Sequence, residues 1–345
     1  MNLDERKLKI IKTIIDDYIM TAVPVGSRTI SKISDLNLSS ATIRNEMSDL
    51  EEMGYLDQLH ASSGRIPSDK AYRLYVDGLM KTTQLSEAEM KIIKDHFSKQ
   101  ILQVQEVITE TATVLSDLTN YASIIMAPKL QQAKIKHVQL VPITTGKALV
   151  IIVASTGSVH DTLISVPSEF GAQELQKISE MLTNILKDGN VKDGARIIKD
   201  QFRYDSMHTK EFVDNTIAHI ANKIQEVKSF VFLEGATKLF MHPEYSNFEK
   251  TKELLSILEE KETIYEILNK ATQMEFTIRI GSENENEHMR KSSIVTATYK
   301  VGNLPIGSFG VIGPTRMNYA KVSAVFNYMR KSLTEIFSNM LIDDD

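Results

Sequence analysis

A short segment near the N-terminus combines an apolar stripe with a polar face that carries few charges. At about 100° per residue on a helix, Ile43, Met47 and Leu50 fall on one side. Asn45 lies opposite them, flanked by Arg44, on a face that is nearly uncharged in its N-terminal half. In the major groove of DNA, an Arg side chain can fork to guanine and an Asn side chain to adenine. This spacing therefore favours a helix that recognises DNA bases.

Two features flank this helix and could contact the DNA backbone. Ser39 and Ser40 can each cap its N-terminus, where the first-turn amides could hold a phosphate. The segment His60–Arg65 is too polar for anything but a loop tip, and it lies where a winged-helix protein places its wing. Its Arg, its His and its two Ser residues could contact phosphates or the minor groove.

The candidate DNA contacts thus form two groups. The first group is expected at base edges and comprises Arg44, Asn45, Ser40, Thr42 and Ser48. The second group is expected at the backbone or in the minor groove and comprises Arg28, Ser39, His60, Ser62, Ser63 and Arg65.

The charge of residues 1–80 argues against strong binding by a single copy. Ten Lys and Arg residues in this range oppose twelve Asp and Glu residues, which leaves a net charge of −2. Because DNA affinity comes largely from phosphate neutralisation, a monomer should bind weakly, and a dimer would double the contacts. The alternative interpretation of residues 1–80 is a helical protein-interaction domain with a polar loop.

Several predicted elements position these side chains. Helical periodicity predicts a first helix over Asp4–Met20, a short second helix, the helix described above and a fourth helix over Ser68–Met80. Two helices joined by a tight turn, followed by a hairpin, constitute a winged helix-turn-helix domain over residues 1–80. Residues 81–126 keep an apolar period for about eight turns and begin with a capping box at Ser86 and Glu89. We therefore expect one long connecting helix there.

The remaining chain alternates between strand and helix patterns. Strand-like runs lie between residues 137 and 166, helical runs fill 171–228, and one of these helices is predicted over Lys192–Phe202. Further strands are predicted over Phe276–Ile280, Ile294–Tyr299 and Ser308–Ile312, and a final helix from about Asn318 to Asn339. Strands on both sides of a helical stretch predict an α/β domain over 127–170 and 229–345, with an insertion over 171–228.

Composition excludes several classes of function. The 345 residues carry a net charge of −5 and contain no cysteine, which excludes disulfides, thiolate zinc sites and cysteine nucleophiles. No apolar run approaches the roughly 20 residues that span a bilayer, and no signal peptide or catalytic motif is evident. The eight His residues show no metal-ligand spacing. We therefore expect a soluble cytoplasmic protein that is not an enzyme, contacts no membrane and needs no metal or cofactor.

Four segments resemble one protein family, the heat-inducible transcription repressors called HrcA. Leu38–Glu51 resembles the family's recognition helix, and Ser62–Asp77 resembles its wing and the helix after it. Val23–Arg28 is similar to the family's first turn, and Gly310–Tyr319 to its closing segment. The resemblance spans the chain, but it is dense only in residues 1–80 and near 300–330.

This resemblance implies an architecture and a mode of action. It implies an α+β multidomain chain with an N-terminal winged helix-turn-helix, a GAF-like α/β domain and an inserted, mainly helical dimerisation domain. Residues 81–126 would be a helical connector that leads into the GAF-like domain. Members repress chaperone operons by binding an inverted-repeat operator in double-stranded DNA as homodimers. The chaperonin GroEL keeps the repressor in its DNA-binding form until heat diverts it.

A second hypothesis stays open at this point. The α/β domain could form a small-molecule-sensing regulator or an enzyme, with the N-terminal unit as an interaction module. A pocket lined by converging titratable groups would favour that hypothesis.

Overall fold

The computed structural model describes nine ranges of the chain, which are residues 3–33, 38–60, 63–81, 83–97, 104–127, 135–154, 159–187, 207–226 and 231–342. Within these ranges, no helix combines the length and the apolar character that a bilayer crossing requires. The predicted helix over Lys192–Phe202 lies outside them. The structure is a mixed α/β protein with two larger sheets and a short hairpin.

The N-terminal unit consists of four helices and a hairpin. Its elements are α1 (Glu5–Thr21), α2 (Ser27–Ile33), α3 (Ser40–Glu52), β1 (Leu56–Asp57), β2 (Ile66–Pro67) and α4 (Asp69–Leu74), which continues as a π-helical turn to Leu79. Asp4 caps α1 by accepting a hydrogen bond from the Lys7 N–H at 2.8 Å. Four isoleucines of α1, from Ile10 to Ile15, are fully buried, as the helical spacing predicts.

The prediction of one long connecting helix over residues 81–126 is wrong. Two helices and a strand lie in this range instead. The capping box at Ser86 is present, since Ser86 and Glu89 bond each other's backbone N–H, and it begins α5 (Glu87–Phe97). A second helix, α6 (Val104–Thr119), packs on α5. His96 Nδ1 lies 2.5 Å from Glu110 Oε2, although residues that far apart would be separated by about 21 Å along one straight helix. Both helices keep the same apolar period, so the period alone did not reveal the break.

The chain after the N-terminal unit builds a second, larger unit. A five-stranded antiparallel sheet forms its centre. Its order is β7–β3–β10–β9–β8, from the strands β3 (Ala122–Met126), β7 (Val231–Glu234), β8 (Phe276–Ile280), β9 (Ser292–Val301) and β10 (Leu304–Pro314). Alternate residues face opposite sides, as the strand pleat requires. Ile125 and Val311 pack toward α6 and the final helix, whereas Ile124 and Ile312 pack toward the helices over 248–271. The sheet is therefore buried on both faces.

A second antiparallel sheet lies in the chain between β3 and β7. It consists of β4 (Ile135–Thr144), β5 (Lys147–Ala154) and β6 (Val159–Ser165), and it packs on α7 (Ala172–Lys187) and α8 (Met207–Glu226) around a core of its own. We predicted that residues 127–170 belong with the later strands, but β4, β5 and β6 pair only with one another among the described strands. Strand periodicity shows that a segment is extended and not which strand it pairs with, so this boundary could not be read from the sequence.

The remaining helices complete the larger unit. They are α9 (Phe248–Glu259), α10 (Lys261–Ala271) and α11 (Tyr319–Ile342), with short 3-10 turns at Ala236–Met241, Pro243–Tyr245, Gly281–Glu283 and Glu287–Met289.

The N-terminal unit and the larger unit share one hydrophobic core. The rings of Tyr72 in α4 and Tyr319 in α11 lie 6.1 Å apart, and Tyr72 is almost fully buried. Arg73 Nε donates to Glu283 Oε1 at 2.8 Å, and Arg73 Nη2 donates to the Ile278 carbonyl at 2.6 Å. Arg316 Nη1 donates to the Ile19 carbonyl at the end of α1 at 3.0 Å. These contacts hold the two units in one orientation.

The Arg73–Glu283 pair predicts a pH dependence of stability. Burial alone would raise the pKa of Glu283, but hydrogen bonds from Arg73 and from the Ile280 N–H lower that pKa below its usual 4.5. A carboxyl with a lowered pKa stabilises the folded chain above the unfolded value and loses this contribution as the pH falls. Glu283→Gln should therefore cost about 1 kcal/mol at pH 7 and flatten the loss of stability between about pH 5 and pH 3.

The measurement is urea unfolding over a pH series. Glu287→Gln is the control, because this exposed carboxyl forms no side-chain ion pair within the described ranges. Parallel pH curves for Glu283→Gln and the wild type would contradict the prediction.

Candidate nucleic-acid interface

Helix α3 presents the polar face that the sequence predicts. Ile43, Met47 and Leu50 are buried against the N-terminal unit, and their exposed fractions do not exceed 4%. Arg44 and Asn45 are exposed on the other side of the helix. Ser48, one turn further along, is exposed as well, and Thr42 is half-buried.

The N-terminus of α3 is held by its own hydroxyl groups. Ser39 Oγ caps the helix by accepting a hydrogen bond from the Thr42 N–H at 3.1 Å, and it lies 2.9 Å from Thr42 Oγ1. Ser40 Oγ lies 3.2 Å from Ser31 Oγ, so it links α3 to α2. These hydroxyls fix the start of the helix, a role that sequence reasoning identified for Ser39 and missed for the Ser40–Ser31 contact.

The β1–β2 hairpin is anchored to the turn before α2. The backbone N–H of Val25 donates to the Arg65 carbonyl at 2.9 Å, and the N–H of Arg65 donates to the Val25 carbonyl at 2.9 Å. Gly64 permits this approach, because an added Cβ there would lie 2.5 Å from the Val25 carbonyl oxygen. At the hairpin tip, Ser63 Oγ donates to the exposed His60 carbonyl at 2.7 Å. Ser62 lies outside the described residues.

A groove of about 670 Å³ lies between these three elements. Arg28 from α2, Arg44 from α3 and Arg65 from the hairpin all line it. Gln58 and Ser63 contribute polar atoms to the same walls. Guanidinium groups bind phosphates and base edges, so an open groove lined by three arginines has a chemistry suited to either ligand. Sequence reasoning missed Gln58, because a single Gln in a hairpin gives no signal by itself.

Two acidic residues of α3, Glu46 and Asp49, are paired with basic side chains of α1. Glu46 binds Lys7 of α1 at 2.6 Å and Arg6 at 3.2 Å, and Asp49 also contacts Lys7 at 3.1 Å. The hydrogen bonds that the Lys7 ammonium donates to Glu46 and, to a smaller extent, to Asp49 raise the pKa of Lys7. These pairs lie on the side of α3 that faces α1, so the carboxylates do not repel a ligand in the groove. Sequence reasoning missed Lys7 and Arg6, because about 40 residues separate them from their partners.

Glu51 is paired differently, because its partner lines the groove. Glu51 Oε2 accepts a hydrogen bond from Arg65 Nε at 2.7 Å and lies 2.7 Å from Arg65 Nη2. Arg65 is therefore tied to α3, whereas Arg28 and Arg44 form no ion pair within the described ranges. The predicted site residues thus differ in how freely they can meet a ligand.

The elements β4, β5, β6, α7 and α8, which lie in the chain between β3 and β7, form the inserted unit. A second open cavity, of about 700 Å³, lies in this unit. It is lined by the end of β6 and by α8, and its titratable groups are Glu169, Glu211 and His219. Residues 163–169 of its lining belong to the range that the sequence predicts as part of the α/β domain, and the opposite wall belongs to α8. No group of three or more His, Asp or Glu residues in the described part of the chain could hold a metal ion.

This chain is similar in sequence to known proteins over almost its whole length. Residues 105–322 match the family model described as the HrcA protein C terminal domain. The heat-inducible transcription repressor HrcA of Ruminiclostridium cellulolyticum is 42% identical over 348 residues, covering 99% of each chain. The repressor of the same name from Brevibacillus brevis is 38% identical and covers 98% of each chain. The crystal structure of a hypothetical protein, 24% identical, superposes with a TM-score of 0.69 over 98% of this chain and 100% of that chain, which supports the fold.

The close approach at Gly64 can be tested directly. Gly64→Ala should displace the hairpin from Val25, because the new methyl group would overlap the Val25 carbonyl. We expect faster hydrogen exchange at the Val25 and Arg65 amides and a loss of about 1–3 kcal/mol in the free energy of unfolding. Gly78→Ala is the matched control, since nothing lies within 4 Å of its added Cβ. Unchanged exchange in Gly64→Ala would contradict the proposed anchoring.

Proposed function

Because this chain belongs to the HrcA family of heat-inducible transcription repressors, we propose that it represses transcription by binding duplex DNA through α3 and the β1–β2 hairpin. One observation carries this proposal: three arginines from α2, α3 and the hairpin surround a single open groove. A helix with an exposed polar face next to such a groove suits the major groove of DNA and the adjacent phosphates. The N-terminal unit is then a winged helix-turn-helix.

We assign the base contacts to the exposed face of α3. Arg44 is free to fork to guanine, and Asn45 is next to it for adenine. The side chains beside them are Ser40, Thr42 and Ser48. Of these, Ser40 keeps one hydrogen-bonding direction for Ser31, so its contribution is smaller.

The backbone and minor-groove contacts come from the surrounding elements. Arg28 and Ser39 lie at the N-terminal ends of α2 and α3, where exposed amides favour phosphate. The hairpin supplies the other residues of this group, which are His60, Ser62, Ser63 and Arg65.

We propose that the chain acts as a homodimer on an inverted-repeat operator upstream of chaperone operons. The net charge of −2 in residues 1–80 leaves one copy with few phosphate contacts, and a second copy doubles them. The three-stranded sheet offers a surface for pairing: α7 and α8 pack on one of its faces, and the other presents cross-strand apolar rows such as Val141–Leu149–Leu163. Leu163 and Val159 on that face are 52% and 61% exposed. A second copy of the same face would cover them with two-fold symmetry, which matches an inverted repeat.

The larger unit completes the proposed architecture. We infer that residues 104–126 and 231–345 form the GAF-like domain and that residues 127–230 form the inserted dimerisation domain. The chain would work in the cytoplasm, where its operators are. GroEL is the proposed partner that keeps the active form available. Support for this comes from the apolar sheet face, which a single chain leaves exposed and which a chaperonin could hold until pairing.

Replacing Arg44 tests the base-reading role. The probe is a duplex selected from a random-sequence pool by the wild-type chain. Arg44→Ala should weaken binding by about 1–3 kcal/mol and relax discrimination at one base pair, because a bidentate contact is lost. Fluorescence anisotropy with the selected duplex and its single-mismatch variants provides the measurement. Arg290→Ala, which removes an exposed arginine of the larger unit, is the control. Unchanged affinity and discrimination in Arg44→Ala would remove this residue from the role.

Replacing Leu163 tests the pairing surface. Leu163→Asp should shift the chain toward monomer, because two desolvated carboxylates would face each other across the two-fold axis. Sedimentation equilibrium measures the shift. Leu304→Asp is the matched control, since Leu304 is 47% exposed in the β9–β10 hairpin of the other sheet. A dimer that survives Leu163→Asp unchanged would exclude this face.

A further inference from the structure

Glu51 and Arg65 form an ion pair at the edge of the arginine groove. Both the Nε and the Nη2 of Arg65 point at Glu51 Oε2, at 2.7 Å each. The side chain of Arg65 is only 19% exposed, and the side chain of Glu51 is 33% exposed. The remaining nitrogen, Nη1, lies 3.5 Å from the Ser63 carbonyl. Each of the three guanidinium nitrogens therefore has an intramolecular neighbour before any ligand arrives.

Glu51 differs in this respect from the other paired acids of α3. Glu46 and Asp49 are neutralised by Lys7, which does not line the groove. Glu51 instead takes up a cation that does line it, and so it cancels one of the three arginine charges around the groove.

We propose that Glu51 is a specificity-determining residue that withholds the charge of Arg65 from arbitrary DNA. This inference rests on the proposed DNA-binding function. A phosphate that approaches Arg65 must compete with a carboxylate already in place, so a backbone contact alone gains little there. Non-specific affinity depends on such contacts, whereas specific affinity also has the base contacts of Arg44 and Asn45. The pair therefore lowers non-specific binding more than operator binding.

Glu51→Gln tests the proposal, because glutamine keeps the shape of the side chain and removes its charge. Dissociation constants are measured over a salt series for the selected duplex and for a scrambled duplex of the same composition. We expect the affinity for scrambled DNA to rise about three- to ten-fold at low salt. The slope of log affinity against log salt should steepen by about 0.9, and the ratio of specific to non-specific affinity should fall.

Glu52→Gln is the matched control. It removes the same charge from the adjacent position of α3, and Glu52 is exposed and has no ion-pair partner in the described ranges. The double variant Glu51→Gln with Arg65→Gln completes a double-mutant cycle. Without the Arg65 guanidinium, Glu51→Gln should no longer raise the affinity for scrambled DNA.

Each outcome has one meaning. If the wild type selects and binds no duplex, the proposed function fails. If the wild type binds and Glu51→Gln behaves like Glu52→Gln, or weakens binding to both duplexes, the role of Glu51 is overturned while the proposed function stands. Thermal unfolding checks that the variants fold. If Glu51→Gln does not fold, Glu51→Asp replaces it, since its shorter side chain releases Arg65, and an unchanged affinity for scrambled DNA would overturn the proposal.

Discussion

Two backbone hydrogen bonds between Val25 and Arg65 determine the geometry of the whole candidate interface. They join the turn before α2 to the base of the hairpin, while Ile43, Met47 and Leu50 seat α3 against the same unit. Arg28, Arg44 and Arg65 come from three separate elements, and this junction holds the hairpin beside α2 so that all three residues line one groove. The junction needs a residue without a side chain at position 64, because the two backbones nearly touch there. Gly64 thus makes the arrangement of the three arginines possible.

Much of the interface could be predicted from the sequence, because it depends on local rules. The period of the apolar residues in α3 identifies its exposed face, and the adjacent Ser39 and Ser40 identify its start to within one residue. What the sequence did not reveal is which charges meet across elements. Lys7 reaches Glu46 from a helix nearly 40 residues earlier, and Arg65 turns toward Glu51 although its charge suggested a free contact. Such pairings depend on how elements pack, and no local pattern encodes them.

The larger unit shows the same division between local and non-local information. The strands predicted over 276–280, 294–299 and 308–312 are confirmed, since β8, β9 and β10 cover these ranges. The boundary of the insertion was missed, because β4 and β10 are each recognisable as strands, whereas the strand that each one pairs with is not a local property of the sequence. The break between α5 and α6 was missed for a related reason, since both helices bury one face at the same period. The strand partners and the break between the two helices are both determined by tertiary packing.

The inserted unit leaves and rejoins the larger sheet at a single pair of residues. Met126 at the end of β3 lies directly across from Val231 at the start of β7, so the two chain crossings are roughly 5 Å apart. If the unit were removed, a tight turn of a few residues could therefore join Met126 to Val231. Evolution could lengthen, shrink or exchange this module without disturbing the sheet beneath it, whereas the N-terminal unit, which shares a core with α11, has no such freedom.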